Sequence, residues 1–282
     1  MQLDLGLNLG IQSDFRKALD FLSIQSSAAY SLRKLRNAYI GNAIRVRRSS
    51  DNLETDIGFI NGTELDTTAL LAHCGANNGF VTIWYDQSGN NLNATQVTAT
   101  NQPSIVTSGV VNLDSGKPTI LYDGIDDFFN IVSAVNSSNI SFNSVSKLGS
   151  KSLVANSSYL LGAASGFYGY DNEGFGVALS STTGGYFNSP IPTTVRLSTA
   201  IDTVTVATNV ASLFRFGTAI GAPTVTIGTN FQPVFIGANI AGITGNWSGS
   251  ISEIVIANST LSTANRQTLE RNQGSYYSII VT

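Results

Sequence analysis

From residue 95 to residue 256 the chain never sustains the three-to-four-residue apolar spacing of a helix. It offers instead short apolar stretches separated by Gly, Asn, Ser and Thr. Ser104 to Val106, Pro118 to Tyr122, Phe128 to Val132, Ser152 to Leu161, Gly174 to Ser180, Val195 to Ala200, Thr203 to Thr208, Ser212 to Phe216, Val225 to Ile227, Val234 to Gly237 and Ser250 to Ile256 each read as a strand. So many short strands, with turn residues between them, bury their apolar faces by stacking two sheets, and the pattern predicts an antiparallel sandwich. Phe80, Ile83, Ile120, Ile131, Val177, Phe235, Ile254 and Ile256 are expected in its interior.

One stretch upstream has a more specific character. Phe80-Val81-Thr82-Ile83 reads as a buried strand, and it runs into Trp84-Tyr85-Asp86-Gln87-Ser88-Gly89-Asn90-Asn91-Leu92-Asn93. Asp86 and Ser88 can accept hydrogen bonds from backbone amides two residues on, Gly89 can take positive φ, and Asn90 and Asn91 tolerate the left-handed region. A self-satisfied loop that buttresses the sandwich is the expectation; direct ligand contact is the alternative.

At the N-terminus, Leu3, Leu5, Leu7, Leu9 and Ile11 alternate with polar or small residues, as in an extended arm that either edges its own sheet or adds to a neighbouring subunit. Ser13 is placed to cap a short helix with Phe15, Ala18, Leu19 and Leu22 on one face. A second helix is expected from Ser26 or Ser27 to Asn37, with Ala29, Leu32 and Leu35 inward and Arg33, Lys34 and Arg36 in solvent. Ile44, Val46 and Arg48 then mark a strand. Its Arg45, Arg47 and Arg48 need carboxylates, for which Asp51, Glu54 and Asp56 are at hand. Glu64 to Ala72 is a candidate helix, and Ser262 caps a final one ending at Gly274. The organisation expected is residues 1–25 as an assembly element and residues 26–282 as one sandwich with short helices at either end.

Composition narrows the function classes. Charged residues make up 12% of the chain and the net charge is -3, so no basic field draws in nucleic acid or an anionic membrane surface. The single cysteine, Cys74, allows no intrachain disulfide, and His73 beside it is the only histidine, which leaves no zinc site or Cys-His nucleophile pair. No stretch approaches a membrane span. The first residues lack the basic and long apolar regions of a signal peptide, so folding in a host cytoplasm without export by that route is expected.

Ala29-Tyr30-Ser31-Leu32-Arg33, Val46-Arg47-Arg48-Ser49-Ser50-Asp51, Thr55-Asp56-Ile57-Gly58 and the WYDQSGN run together resemble the catalytic domain of the α-L-arabinofuranosidase B family. The resemblance implies a concanavalin A-like, two-sheet jelly roll, a module also found in bacteriophage tail and virion proteins. Gly116-Lys117-Pro118 through Asp123-Gly124-Ile125-Asp126-Asp127-Phe128 resembles a laminin G-like segment, and Leu261 to Tyr277 is similar to the closing helix of such modules in phage proteins.

A retaining glycosidase needs two carboxyl groups about 5 Å apart. By the resemblance, the nucleophile falls near Gly174-Phe175-Gly176-Val177-Ala178 and the acid near Ile236-Gly237-Ala238-Asn239. Neither stretch carries a carboxylate there; Asp171 and Glu173 lie just before the first, and Asn239 cannot act as an acid. Glu173 is therefore the runner-up nucleophile in a chain expected to be non-catalytic. For glycan binding, Tyr168, Tyr170, Asp171, Asn172, Glu173, Tyr186, Asn188 and Trp247 supply aromatic faces and polar groups. Asp123, Asp126 and Asp127 suggest either a laminin G-like calcium site or, preferred here, a turn closed by Asp side chains. No metal and no cofactor is expected. The function expected is a structural virion protein of a tailed bacteriophage, a tail, fibre or capsid-decorating part. It would partner other virion proteins and copies of itself, and adsorption to cell-surface glycan would be a further role. An arabinofuranosidase-like glycoside hydrolase is the alternative.

Overall fold

The computed structural model describes residues 17–22, 26–132, 139–149, 157–163, 166–171, 174–178, 186–190, 197–207, 210–221, 233–239 and 245–282. The expected arm at residues 1–12 and the expected strand at Val225 to Ile227 lie outside them.

Two antiparallel sheets face each other. In the first, Ser248–Ala257 is central, with Ile140–Leu148 on one side and Ser26–Ser31 and Ile120–Asp123 end to end on the other. It continues through Ala200–Ala207, Val210–Arg215 and Thr218–Gly221. The second sheet runs from Glu54–Ile57 through Ile44–Arg48 and Gly79–Trp84 to Ala94–Thr95, Phe129–Asn130 and Phe235–Ile236. From there it extends through Ser157–Ala163, Gly166–Asp171 and Gly174–Ala178 to Tyr186–Pro190. Ser104–Thr107 pairs with both Ile120–Asp123 and Gly79–Trp84 and so closes the corner between the sheets.

The space between holds Tyr30, Trp84, Tyr122, Phe129, Phe142, Tyr168 and aliphatic side chains of both sheets. Ring contacts chain Tyr30 to Trp84 at 5.7 Å, Trp84 to Phe129 at 6.3 Å and Phe129 to Tyr122 at 6.2 Å. Ile120, Ile131, Ile254 and Ile256 are buried as expected, whereas Phe80, Ile83 and Phe235 are half-buried. The first two are explained by a bulge. Arg45 pairs with Ile83 and Val46 with Val81, so Thr82 is the extra residue, and Phe80 and Ile83 both turn outward while Val81 and Trp84 point into the core. Phe80 lies 4.9 Å beneath the Arg47 guanidinium.

The helix expected from Ser26 to Asn37 is instead the strand Ser26–Ser31 followed by loop. Its pairing with Ser248–Ala257 outweighs local propensity, and burial on both faces, with Ala28 and Tyr30 inside and Ala29 under the C-terminal helix, produces an apolar spacing that imitates a helix. Arg33 is likewise corrected, from solvent to 7% exposed. Its Nε and Nη2 donate to Glu253 at 2.7 and 3.0 Å, Nη1 donates to Asn272 Oδ1 at 2.8 Å, and Tyr276 stacks at 4.6 Å. The arginine-rich strand does find its acids: Arg45 pairs with Asp56 and Arg48 with Asp51, while Arg47 donates to Gln102 and Asn52. His73 packs against the Val46 carbonyl, 3.1 Å from Nε2.

Among the described residues, two α-helices cover the sandwich. Thr67–Cys74 starts two residues after a short strand and is capped by Asp66, which accepts from Ala69 N at 2.9 Å. Thr263–Tyr277 is capped by Ser262 as expected but runs past Gly274 to a left-handed Ser278. Leu269 of this helix shares a cluster with Ala18, Leu19, Leu35, Val255 and Leu261. The apolar surface of residues 17–22 is thus spent on the chain's own body, where Ala18–Phe21 forms one 3₁₀ turn.

Glu253 is fully buried and also accepts from Ser31 Oγ at 2.9 Å and Gln273 Nε2 at 2.9 Å. Replacing its cation leaves a buried charge without compensation, which costs about 3–5 kcal/mol. Arg33→Met should lower the urea midpoint accordingly, and adding Glu253→Gln should restore part of the loss.

Candidate functional site

The WYDQSGN loop is built from its side chains inward. Asp86, 2% exposed, accepts four hydrogen bonds: Ala29 N and Ser88 N on Oδ1, both at 2.8 Å, and Ser88 Oγ at 2.6 Å and Leu92 N at 3.1 Å on Oδ2. Gln87, fully buried, accepts from Leu35 N and donates to the carbonyls of Ser31 and Arg33. Asn90 donates to the carbonyls of Ser26 and Ser27. Asn91 sits at φ 58° and Gly89 at φ 98°. Asp86, Gln87 and Asn90 fasten residues 26–35 to the second sheet, which is the buttressing role expected, and their polar atoms are consumed in doing so.

A different arrangement ends the strand Ile120–Asp123. Leu121 and Asp123 face outward, the chain turns at Gly124 with φ 75°, and Asp127 returns beneath the turn. Asp123 Oδ1 accepts from Ile125 N at 2.7 Å and Asp126 N at 3.3 Å, and Asp127 Oδ2 accepts from Asp123 N at 2.9 Å. Carboxylate oxygens of Asp123, Asp126 and Asp127 all lie within 4.8 Å of one another. Asp127 is 6% exposed, Asp123 exposed. Burial, reinforced by the Asp123 charge and opposed by the Asp123 amide, pushes the Asp127 carboxyl up to about 7. With its carboxyl raised to about 7, Asp127 can hold and release a proton near neutral pH, as acid-base chemistry on an ether or acetal oxygen requires. Both line a cleft of about 430 Å³ with Phe80, Gln102, Tyr122 and Ser248.

The residues singled out for glycan contact are placed differently. Tyr168, Tyr170 and Trp247 are buried inside the sandwich, Tyr170 and Trp247 with ring centroids 5.8 Å apart, and turn no face to solvent. The two tyrosines serve a carboxylate that sequence reading missed: Tyr170 OH donates to Asp202 Oδ2 at 2.8 Å, Tyr168 OH to the Asp202 carbonyl at 2.9 Å, and Arg215 Nη1 lies 3.5 Å from Asp202 Oδ1. Burial raises the Asp202 carboxyl and Arg215 opposes the rise. The available signal was an acid interrupting the apolar run Ala200–Ala207. Asp171 closes one strand opposite Ser157, and Tyr186 and Asn188 lie in another opposite Ala178 and Gly176. Asn172 and Glu173 lie outside the described residues. Asn239, at the position the resemblance gives to the acid, lies against the carbonyls of Ala163 and Gly166, and its amide satisfies both, at 3.2 Å each, when its nitrogen is turned toward them.

Residues 24–121 match the family model of the α-L-arabinofuranosidase B catalytic domain. No curated protein matches. Among solved structures, the chain is similar to a glycoside hydrolase family 54 α-L-arabinofuranosidase soaked with a cyclic sulfate inhibitor, at 14% identity and a TM-score of 0.63. A glutamate-to-glutamine mutant of such an enzyme, soaked with 4-nitrophenyl α-L-arabinofuranoside, gives 14% and 0.65. An arabinofuranosidase complexed with arabinofuranosyl-α-1,2-xylobiose gives 16% and 0.61. Each alignment covers 88% of this chain and 62% of the other, so the chain spans less than two thirds of their length. These findings overturn the expectation of a structural virion protein, with its bacteriophage tail and capsid-decoration roles, and the expectation that the chain is not an enzyme: the matches are to an arabinofuranosidase catalytic domain and to arabinofuranosidases.

The Asp127 carboxyl binds its proton more tightly in the folded chain than the ordinary 3.8, so its contribution to stability is complete below about pH 4 and is lost as pH rises through about 7. The loss is of order a few kcal/mol. Urea denaturation of the wild type and Asp127→Asn at pH 4, 6 and 8 should show the wild type losing stability relative to the variant across that range.

Proposed function

We propose that this chain is the sugar-cleaving domain of an α-L-arabinofuranosidase-like glycoside hydrolase. The observation that carries the reading is the match over residues 24–121, which runs from the first strand of the sandwich through the WYDQSGN loop and stops two residues short of Asp123. The similarity to arabinofuranosidase structures supports the same sandwich over most of the chain.

Within that reading the acid pair supplies the chemistry. Asp127, its carboxyl raised to about 7, gives its proton to the glycosidic oxygen as the bond to the leaving group breaks, while Asp123, open to the cleft, forms a bond to the anomeric carbon; water then cleaves that ester, giving a proton to Asp127 and its hydroxyl to the sugar, which frees Asp123. Oxygen atoms within 4.8 Å match the close spacing of a retaining pair better than the wider gap that admits a water between them. The Asp123 and Asp126 amides hold the turn so that neither carboxyl has to reorganise.

Release of 4-nitrophenol from 4-nitrophenyl α-L-arabinofuranoside tests the proposal. The wild-type chain should turn over, and Asp127→Asn should lose about 10²–10⁴-fold in kcat with little change in melting at pH 5. Turnover that survives Asp127→Asn and disappears in Glu173→Gln would move the chemistry to Glu173; no turnover by the wild type on any arabinofuranoside would sink the reading.

A further inference from the structure

The strand whose Phe80 lines the acid cleft has a second cleft at its other end. This cleft, about 480 Å³, is lined by Tyr39, Ile40, Arg36, Tyr85 and Asn91, among others, and falls in the ~300–1,000 Å³ range of small-molecule sites. Its walls are fixed from behind. Tyr39 OH donates to the Asn42 carbonyl at 2.8 Å and its ring meets Phe59 edge-on at 6.3 Å. Any side chain at Gly41 would collide with the Tyr39 phenol, so glycine there is what lets the ring lie across the chain. Tyr85 OH donates to Asp56 Oδ1 at 2.7 Å, within the Arg45–Asp56 pair.

The cleft's polar groups, in contrast, are left over. Arg36 is half-buried, and among the described residues its guanidinium has no carboxylate and no hydrogen-bond partner; the side-chain amide of Asn91, exposed at the cleft, has none either. Asp86 lines the same space but its oxygens are saturated by four donors. Ile40 stands 99% exposed at the rim. Rigid aromatic and apolar walls with an unspent guanidinium and amide suit a ring that is apolar on its C–H faces and hydroxylated at its edge. One cation in a cleft that also holds a buried carboxylate does not select an anion, and a purely apolar ligand would leave both the guanidinium and the amide without a partner.

We propose that this cleft is a saccharide subsite that holds a neutral glycan chain away from the point of cleavage. From Phe80 to Tyr85 the strand spans roughly 17 Å, at about 3.3 Å per residue, the reach of a short oligosaccharide. The Thr82 bulge turns both ends outward on one face of the sheet. Binding itself does not depend on the hydrolase reading; the role in holding a polymeric substrate rests on it.

Two variants of the full chain test the subsite. Arg36→Ala removes the guanidinium, and Asn91→Gly removes the amide while keeping a residue that accepts φ 58°. Calorimetric titration with soluble arabinoxylan should show binding by the wild type and at least tenfold weaker binding by each variant, at unchanged melting temperature. On arabinoxylan, KM should rise by the same factor, while kcat/KM on 4-nitrophenyl α-L-arabinofuranoside, which is too short to reach the cleft, stays as in the wild type. A wild type that does not bind arabinoxylan, variants that bind it equally well, or equal losses on both substrates would overturn the subsite. If neither substrate is turned over, the titration alone decides, and that failure counts against the hydrolase reading only.

Discussion

The outer face of the central strand Ser248–Ala257 poses the problem that shapes this molecule. It carries Glu253, fully buried, where an unpaired carboxylate would be intolerable. Arg33 answers it with a two-pronged contact, and Ser31, Gln273 and Tyr277 complete the shell of donors. Those partners come from the first strand with the loop that follows it and from the C-terminal helix, so one carboxylate draws together two regions far apart in sequence. Thr263–Tyr277 has a polar sequence for a helix that is buried along one side, and hydrogen bonds rather than apolar area explain its seat: Arg266 and Glu270 pair at 2.5 Å and Thr203 donates to Glu270 at 2.7 Å.

Asp86 and Asp127 apply the same chemistry with different results. Both are buried acids at turns after strands, both accept from backbone amides. Asp86 is given four donors, which tie Ala29, Ser88 and Leu92 to one carboxylate. Asp127 is given one, and its burial, with another carboxylate beside it, makes the fold favour its proton. One residue thus ties the chain together, and the other is able to exchange a proton near neutral pH.

Much of this was legible in the sequence because period-two patterns and turn residues report local geometry directly. Strands such as Ser104–Thr107, Val210–Arg215 and Ser248–Ala257, the Asp51 and Asp56 partners of the arginines, the Ser262 cap and the structural character of the WYDQSGN loop follow from side chains acting on near neighbours, whereas the strand expected from Val195 starts only at Ala200. What failed was long-range. Ser26–Ser31 imitates a helix because both of its faces are covered, and which faces are covered is decided more than 200 residues later. Arg33 looked solvated because its acid is Glu253, and Tyr168, Tyr170 and Trp247 looked like sugar platforms because nothing near them in sequence shows that the two tyrosines close over Asp202 and that Trp247 packs against Tyr170. The acid pair was visible as residues but not as chemistry, since the burial that separates Asp123 from Asp127 comes from strands on either side. The functional reading also erred when the missing acid at Asn239 was given more weight than the family match.

Ser104–Thr107, the strand shared by both sheets, makes the sandwich behave like a bound book. Along this spine the two covers are hydrogen-bonded together, and relative rotation there would cost backbone hydrogen bonds. The acid cleft, lined by Ser104 itself and by Phe80 and Tyr122, lies at the binding. Thermal breathing of the covers therefore has its smallest lever arm where the two carboxyl groups must keep their spacing, and its largest at the fore-edge strands Tyr186–Pro190 and Thr218–Gly221.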